Sequence, residues 1–600
     1  MIALDTLLFN AQIADVFLLR VLRGWIGIKA GRFLYVEEGD PPEDITAKER
    51  SDLGGALVVP GLIDAHMHIE SSLLTPGRFA QAAVPHGTTA VLADPHEVAN
   101  VAGASGVRWM VERSRDLPLY VRYALPSCVP ATSPELEWTA QVFGSEMVRE
   151  FSSEPQIAAL GEVMDYRRVL DEMSASDAQP VAGVAADRPP SRPNPPDGGA
   201  NLSEMMETAR SMSLLVEGHV PTLAGRELSE YLYHGVGSDH TLTNPAKLRE
   251  QLSKGLCVML QAKSLTEEVA RAVMSLEDRS RILLVTDDIE ASLLRSGHMS
   301  LILKRAMASG IAPLEAIASA TIRPARYLGF DRGVEKRGAV APGWTADFLV
   351  LGAIDQFPPR LVYVRGKVAA RNGAAIGRVE TRPASGAGER HLLPDSVGER
   401  DIAVAGRSVR SGRANVVVID NERTSLTRLE QIPLELDDGF PVWPSNEDLA
   451  CVTIVARDGS RASTGVVKNL GLRRGAFAAS FAHDSHNLLI IGRRREEMVS
   501  AANEVIRRRG ALVVQEGGRI AAALDLPVFG LLSDEPFDAV ADALAEVERE
   551  LSRLGMTRER PFLMLSLLSL SVSPLYKFSD RGIVDTEARR LLPPFVAEGA

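Results

Sequence analysis

The feature that most constrains this 600-residue chain is a series of eight short apolar runs between residues 56 and 288. They are ALVVPGLIDAHMH (56–68), TTAVLAD (88–94), YVRYALPS (120–127), IAALGEV (157–163), SLLVEGH (213–219), GVGSDHT (235–241), LCVMLQ (256–261) and RILLVTDD (281–288). Most are too continuous in apolar residues to be half-exposed strands and suit strands covered on both faces. Helical patterns such as AGRELSEYLYHG (224–235) and TEEVARAVMSLED (266–278) separate most of them. This alternation is the signature of parallel βα units. Eight such units predict an α/β fold built on a (β/α)8 TIM-like barrel.

The flanks have a different texture. Residues 1–58 read as short strands and turns, for example GWIGIKAGRFLYVEEGD. The same texture returns in GVEKRGAVAPGWTADFLVL (333–351) and RLVYVRGKVAA (360–370). The simplest account is a discontinuous small β domain, 1–58 plus 335–375, around a barrel at 59–334. A Pro- and Gly-rich stretch at 177–201 is expected to be an irregular loop inside the barrel. Residues 376–400 read as a linker. Residues 401–600 read as an additional C-terminal α/β domain, with strands such as ANVVVID and helices such as EEMVSAANEVIRRRG. The apolar segment PFLMLSLLSLSVSPLY is either core or an interface, and a homo-oligomer, a dimer, is the expected assembly.

Composition narrows the function. Lys plus Arg is 66 against 78 Asp plus Glu, a net charge of −12. That is a poor balance for tracking nucleic-acid phosphates. Cys128, Cys257 and Cys451 are far apart, so neither a disulfide framework nor a thiolate zinc site is expected, and a reducing compartment suits them. No signal peptide is evident at MIALDTLLFN, and no run reaches the roughly 18 apolar residues of a membrane span. A soluble cytoplasmic protein is the expectation, with no nucleic-acid or membrane partner.

In a barrel of this kind the active site forms at the C-terminal ends of the strands. Six of the eight runs end in His, Asp or Glu: His66 and His68; Asp94, His96 and Glu97; Glu162; Glu217 and His219; Asp239 and His240; Asp287 and Asp288. His66 and His68 are two apart on a strand, so both rings lie on one side and can share a metal. Glu162 ends an apolar strand, where an unpartnered carboxylate is costly. It should meet a metal or, failing that, an arginine of the next helix. His219 and His240 end successive strands and make a second metal plausible. Of Asp287 and Asp288, the one facing the axis can bind metal and take a proton from metal-bound water. Imidazole and carboxylate ligands suit Zn, Fe or Mn, and metals of this kind make water a nucleophile at neutral pH.

These motifs carry a resemblance. PGLIDAHMH, with the later strand-end Glu, His, His and Asp, resembles the amidohydrolase superfamily of metal-dependent hydrolases. RGAVAPGWTADFLVL is similar to the strand pair that closes its composite β domain. Within the superfamily, DAHMHIESS, ADPHEVANV, GEVMDY, VTDD and FAHDSHNLLIIG resemble the bacterial adenine deaminase branch, over nearly the whole chain. The resemblance implies hydrolytic deamination of adenine to hypoxanthine and ammonia, a purine-salvage reaction, at a centre of two divalent metal ions. It implies that His66, His68 and Asp287 hold one metal, that His219 and His240 hold the second, and that Glu162 bridges. Asp287 is then also the general base. Glu70, Glu97 and Asp288 are the candidates for proton donor to the purine ring. Glu97 is assigned to catalysis with Asp287, and Glu70, Ser71, His96 and Asp288 to substrate binding.

The chain departs from the wider pattern in two places. His219 is followed by Val220, Pro221 and Thr222, where other deaminases of the superfamily carry a glutamate. The 177–201 stretch also lengthens a connection expected to be compact. The alternative single-zinc deaminase design, H-x-E with P-C-x-x-C, is absent. His483, Asp484 and His486 precede an apolar strand and are expected to cap a turn; the sharper alternative is a loop that covers the barrel mouth and touches substrate. Two rival functions stand beside deamination of adenine: another amidohydrolase reaction, such as cyclic amide hydrolysis or deamination of a different heterocycle, and a non-catalytic scaffold on the same fold.

Overall fold

The computed structural model describes residues 3–176, 201–377, 393–420, 426–443 and 447–597. The Pro-rich stretch expected as a loop lies outside the described residues except for Asn201, as do residues 378–392 of the expected linker.

The chain opens with β1 (Ala3–Asp15), β2 (Arg20–Lys29), β3 (Arg32–Glu38), β4 (Thr46–Asp52) and β5 (Leu57–Pro60). The eight apolar runs then supply β6 (Leu62–His68), β7 (Thr88–Ala93), β8 (Tyr120–Leu125), β9 (Ile157–Val163), β10 (Leu215–Gly218), β11 (Ser238–Asp239), β12 (Cys257–Leu260), and the split pair β13 (Ile282–Leu284) and β14 (Asp287–Asp288). All their pairings are parallel. One arc runs β10-β9-β8-β7-β6-β14 and a second runs β11-β12-β13. The Gly237 amide donates to the Val216 carbonyl at 2.9 Å, joining β11 to β10. Since β13 leads directly into β14 beside β6, the ring closes. β6 and β7 are buried along their whole length, as strands wrapped inside a ring of helices must be. β11 is only two residues long because its run is broken by Gly235 and Gly237.

After the barrel come β15 (Phe348–Leu351), β16 (Leu361–Val364), β17 (Lys367–Arg371) and β18 (Ala374–Ala375). They join the N-terminal strands in one sheet, β18-β17-β16-β15-β5-β1-β2-β3, with β4 beside β1. The seam is antiparallel, with Phe348 opposite Pro60 and Leu351 opposite Leu57. The two flanks thus close on each other, and β5 runs straight into β6 with only Gly61 between them.

The C-terminal part forms a sheet from β19 (Ser411–Ile419), β20 (Thr427–Asp437), β21 (Phe440–Pro441), β22 (Leu449–Val455), β23 (Ala462–Lys468), β24 (Ala476–Ala479), β25 (Leu488–Gly492), β26 (Ala511–Glu516) and β27 (Arg519–Asp525). Alternate residues face opposite sides. Ala476, Ala478 and Val513 pack with Met498, Ala501 and Val505 of the helix Arg495–Arg507. Phe477, Ala479, Leu512 and Val514 share a core with Val540, Leu544 and Val547 of the helix Phe537–Arg553. That second core is continuous with the barrel's own. Phe562, Leu565 and Leu568 of the apolar segment are buried in it, so this segment is core within the chain. Polar contacts also bind the two parts: Thr75 donates to Asp534 at 2.8 Å, Arg560 meets Glu290 at 2.7 Å, and the Trp138 amide donates to Asp580 at 2.8 Å. The C-terminal part therefore sits against the end of the barrel where the strands deliver their polar residues.

Candidate metal centre and barrel mouth

β6 presents His66 and His68 on the same side, as period-two geometry requires. The His66 Nδ1 lies 3.2 Å from Glu217 Oε2, and the His68 Nδ1 lies 3.1 Å from the Asp94 carbonyl. Acceptors at Nδ1 hold the proton there and leave each Nε2 as a lone-pair donor facing inward. His66 Nε2 is 3.9 Å from Asp287 Oδ1 and among the described residues has no hydrogen-bond partner. His68 Nε2 lies 3.4 Å from Glu162 Oε1 and 3.6 Å from Asp287 Oδ1. The other Glu162 oxygen faces His219 Nδ1 at 2.7 Å and His240 Nε2 at 3.2 Å. Glu162 thus stands between His68 on one side and the pair His219 and His240 on the other. The His66 and His240 rings stack at 3.9 Å. The arginines of the helix after Glu162 point elsewhere, Arg168 to Glu172 and Arg167 to Glu587.

The charges in this cluster balance one another. Burial opposes charge on His68, yet Asp287, Asp288 and Glu162 raise its pKa well above the ordinary histidine value. Burial likewise opposes ionisation of Glu162, but His240 and His219 hold its carboxyl well below the usual range. The ligand atoms of His66, His68 and Asp287 lie within 4.8 Å of one another, as do those of His66, Glu162 and His240. Buried carboxylates beside inward-facing imidazole nitrogens, one of them orphaned, fit divalent cations better than any arrangement of protons.

Backbone details hold these groups in place. The Glu162 amide donates to Asp94 Oδ2 at 3.0 Å. A Cβ on Gly161 would come within 2.1 Å of that oxygen, so only glycine allows the contact. Asp287 has φ 62°, a left-handed conformation that aspartate tolerates better than most residues. It follows a break in the eighth strand at Thr286, whose hydroxyl donates to the buried Asp64 at 2.5 Å. Asp239 accepts from the Val220 amide at 2.9 Å, the Thr241 amide at 3.1 Å and Gln251 at 2.7 Å, and pairs with Lys247 at 2.9 Å. It therefore ties together the segments that carry His219 and His240.

Above the cluster, Ser71 Oγ donates to Asp288 Oδ1 at 2.5 Å and faces Glu97 Oε1 at 3.5 Å. The Val98 amide donates to Glu70 at 3.4 Å. Burial, reinforced by the neighbouring Glu97 charge, pushes the Glu70 carboxyl up to about 8. His96 lies between Asp94 at 3.5 Å and Asp484 at 3.6 Å. Glu97 meets His483 Nδ1 at 3.1 Å. His486 does cap its turn, its Nδ1 accepting from the Ala482 amide at 3.1 Å. His483 and Asp484, however, reach across to the barrel, which is the sharper of the two expectations for this loop, though contact with substrate is a further step.

All eleven side chains named from the sequence as ligands or site groups, from His66 to Asp288, lie around one mouth, with His483 and Asp484 of the C-terminal loop against them. The sequence places Glu217, Asp94 and Asp239 at strand ends without indicating a role for them. Each is an acidic residue at the end of an apolar strand, and that was the available signal. Glu217 also accepts from Ser238 at 3.3 Å and from the Tyr327 hydroxyl.

Residues 57–369 match the amidohydrolase family, and residues 424–590 match the adenine deaminase C-terminal domain. The chain is 34% identical to an adenine deaminase of Nitratidesulfovibrio vulgaris (strain Hildenborough), over 97% of this chain and 95% of that protein. It is 32% identical to adenine deaminase 2 of Carboxydothermus hydrogenoformans, over 98% of this chain and 96% of that protein. Among solved structures, it resembles an enamidase of the amidohydrolase superfamily at TM-score 0.44 and 15% identity, over 61% of this chain and 96% of that one. It also resembles an adenosine deaminase from Xanthomonas campestris with bound zinc, at TM-score 0.41 and 15% identity, over 62% and 94%.

Proposed function

The chain belongs to the adenine deaminases of the amidohydrolase family, and from that premise we propose how its own residues carry the reaction. It is a metal-dependent hydrolase that converts adenine and water to hypoxanthine and ammonia. The observation that carries the residue assignment is the meeting of six donors, four buried and two partly buried, from β6, β9, β14 and the ends of β10 and β11, with His66 Nε2 left without a hydrogen bond among the described residues.

We assign His66, His68 and Asp287 to one divalent ion, His219 and His240 to a second, and Glu162 to both. Mn, Fe and Zn suit this donor set. Bound metal of this kind lowers the pKa of water toward neutrality. Asp287, beside both His66 and His68, is the group assigned to take the proton from the attacking water. In the reaction a C6–O bond forms, a ring nitrogen takes a proton from Glu97, the amino group takes the proton held by Asp287, and the C6–N bond breaks to release ammonia as the C6 hydroxyl returns its proton to Glu97. Glu97 is assigned to deliver the ring proton, with the Ser71 hydroxyl between it and Asp288. Glu70, protonated near neutral pH by its buried setting, can donate a hydrogen bond to a ring nitrogen. His96 and Asp288 complete the contacts to the base.

On the fold, we assign 1–58 plus 335–375 to the composite β domain, 59–334 to the barrel and 401–600 to the C-terminal domain. Among the described residues no helix is long and apolar enough to cross a membrane. The three cysteines are buried and unpaired, which suits a reducing, cytoplasmic setting.

The test is ammonia release from adenine with and without added manganese or iron, alongside a metal count. Turnover that requires about two metals per chain, and that His66→Ala and Asp287→Ala each abolish, is the expected result. Full activity and metal content in both variants would overturn the assignment.

A further inference from the structure

The loop between β24 and β25 brings His483, Asp484 and His486 of the C-terminal domain onto the barrel residues His96 and Glu97. His483 Nδ1 stands 3.1 Å from Glu97 Oε1, and His486 Nε2 stands 3.9 Å from Glu97 Oε2. All three side chains are buried, and among the described residues neither Glu97 Oε2 nor His486 Nε2 has a hydrogen-bond partner, the 3.9 Å between them being too long for one. Three such groups within reach of one another resemble a metal triad. The hydrogen bonding of His486 argues otherwise. Its Nδ1 accepts a hydrogen bond from the Ala482 amide, so in the neutral ring the proton sits on Nε2. That nitrogen is then an N–H aimed at Glu97, not a lone pair for a metal.

The loop itself is held from behind. Arg457, fully buried, donates to the carbonyls of His486, Phe529 at 3.0 Å and Ser480 at 2.7 Å. Its main-chain amide donates to Asn487 at 3.1 Å. Ser569 donates to the His483 carbonyl at 2.8 Å. Phe481 packs its ring against both His483 and His486. The imidazoles are therefore fixed on a rigid base.

We propose that the C-terminal domain completes the active site by positioning Glu97: His483 donates to one oxygen of its carboxyl group, His486 stands against the other without a hydrogen bond and leaves it free to carry a proton, and together they set its aim toward Ser71 and the substrate. They are positioning residues, acting through Glu97. This rests on the assignment of Glu97 to proton delivery above. It also supplies a reason for an entire further domain on a barrel whose metal donors are all its own.

The experiment compares steady-state ammonia release from adenine, metals per chain and thermal midpoint for the metal-loaded full chain and its variants. Glu97→Gln should lower kcat by about 100-fold or more, the usual range for a lost acid–base group. His483→Ala and His486→Ala should lower kcat about 10- to 100-fold, the range seen when an orienting partner is lost, with KM and metal count near wild type. His483→Asn, which keeps an N–H at the δ position, and His486→Gln, which keeps one at the ε position, should recover most of kcat. The double variant Glu97→Gln, His483→Ala should be no slower than Glu97→Gln alone, since the histidine has nothing left to aim. Wild-type kcat in both alanine variants, losses that multiply in the double variant, or a third metal that His483→Ala removes would overturn the proposal. Full activity in Glu97→Gln would instead overturn the assignment of Glu97 itself. Should the alanine variants fail to fold, His483→Gln and His486→Asn, which move the N–H off the δ and ε positions, decide the same question alone and in the Glu97→Gln background.

Discussion

At the scale of single residues, the site depends on groups that touch no substrate. Glu217 holds the His66 ring so that Nε2 faces the centre. Glu217→Gln preserves the shape but removes the carboxylate that fixes the tautomer. Metal affinity should fall about 10- to 100-fold, as for other lost orienting partners, with activity returning at high metal. A titration of apoenzyme with manganese checks this, and an unchanged affinity would remove Glu217 from the argument. Gly161→Ala is a sharper case. Its Cβ would overlap Asp94 Oδ2 at 2.1 Å, and Asp94 is what accepts the Glu162 amide. Overpacking of this kind costs about 1–3 kcal/mol. The variant should lose stability and metal together, seen as a lower thermal midpoint and a reduced metal count.

At the scale of elements, β10 and β11 are short and carry His219 and His240 on the segments that follow them. Asp239 gathers both segments through backbone amides, Gln251 and Lys247. Burial opposes its charge, but Lys247, His240 and the Gln251 hydrogen bond together hold its carboxyl below the usual range. Asp239→Ala leaves the Lys247 ammonium with the Thr241 hydroxyl and Leu242 carbonyl but no counter-charge, and two amides unpaired, and breaking a buried pair costs at most about 3–5 kcal/mol. The loss should fall on the second metal, since His66 and His68 are braced separately by Glu217 and Asp94. Metal analysis should show occupancy falling toward one ion per chain. Equal loss of both ions would mean that β11 does not act as a separate unit.

At the scale of the whole molecule, the barrel and the C-terminal domain share buried polar contacts as well as a core. Glu137, on the long connection after β8, accepts from Ser571 at 2.7 Å and from Thr132. Burial pushes its carboxyl up to about 7. A carboxyl raised in the folded state stabilises the fold fully below its ordinary value of 4.5, and that contribution is lost as pH rises through about 7. Glu137→Gln keeps the acceptor and removes the titration. Between pH 5 and 7.5 the wild type should therefore lose stability relative to Glu137→Gln, by at most about 3 kcal/mol. Thermal midpoints of the two proteins at both pH values test this, and parallel profiles would show that Glu137 does not titrate in that window.

Much of the barrel and its rim is legible along the chain because the reasons are local. Parallel strands buried on both faces must be apolar throughout, so β6, β7, β9 and β12 stand out as runs. A parallel barrel collects all its strand ends on one rim, so His66, His68, Glu162, His219, His240 and Asp287 could be named before any contact was known. The flanking strands could be matched to each other by texture alone. What the chain does not display is pairing between distant side chains. No period links Glu217 to His66, Asp94 to the Glu162 amide, or His483 and His486 to Glu97. Nor does the sequence show that the eighth strand breaks at Thr286 and turns Asp287 into a left-handed conformation. The turn-capping reading of 483–486 follows from local chemistry and describes His486 correctly. The aim of His483 and Asp484 at the barrel is a product of docking, because only the shared core of the two domains decides which surface that loop meets.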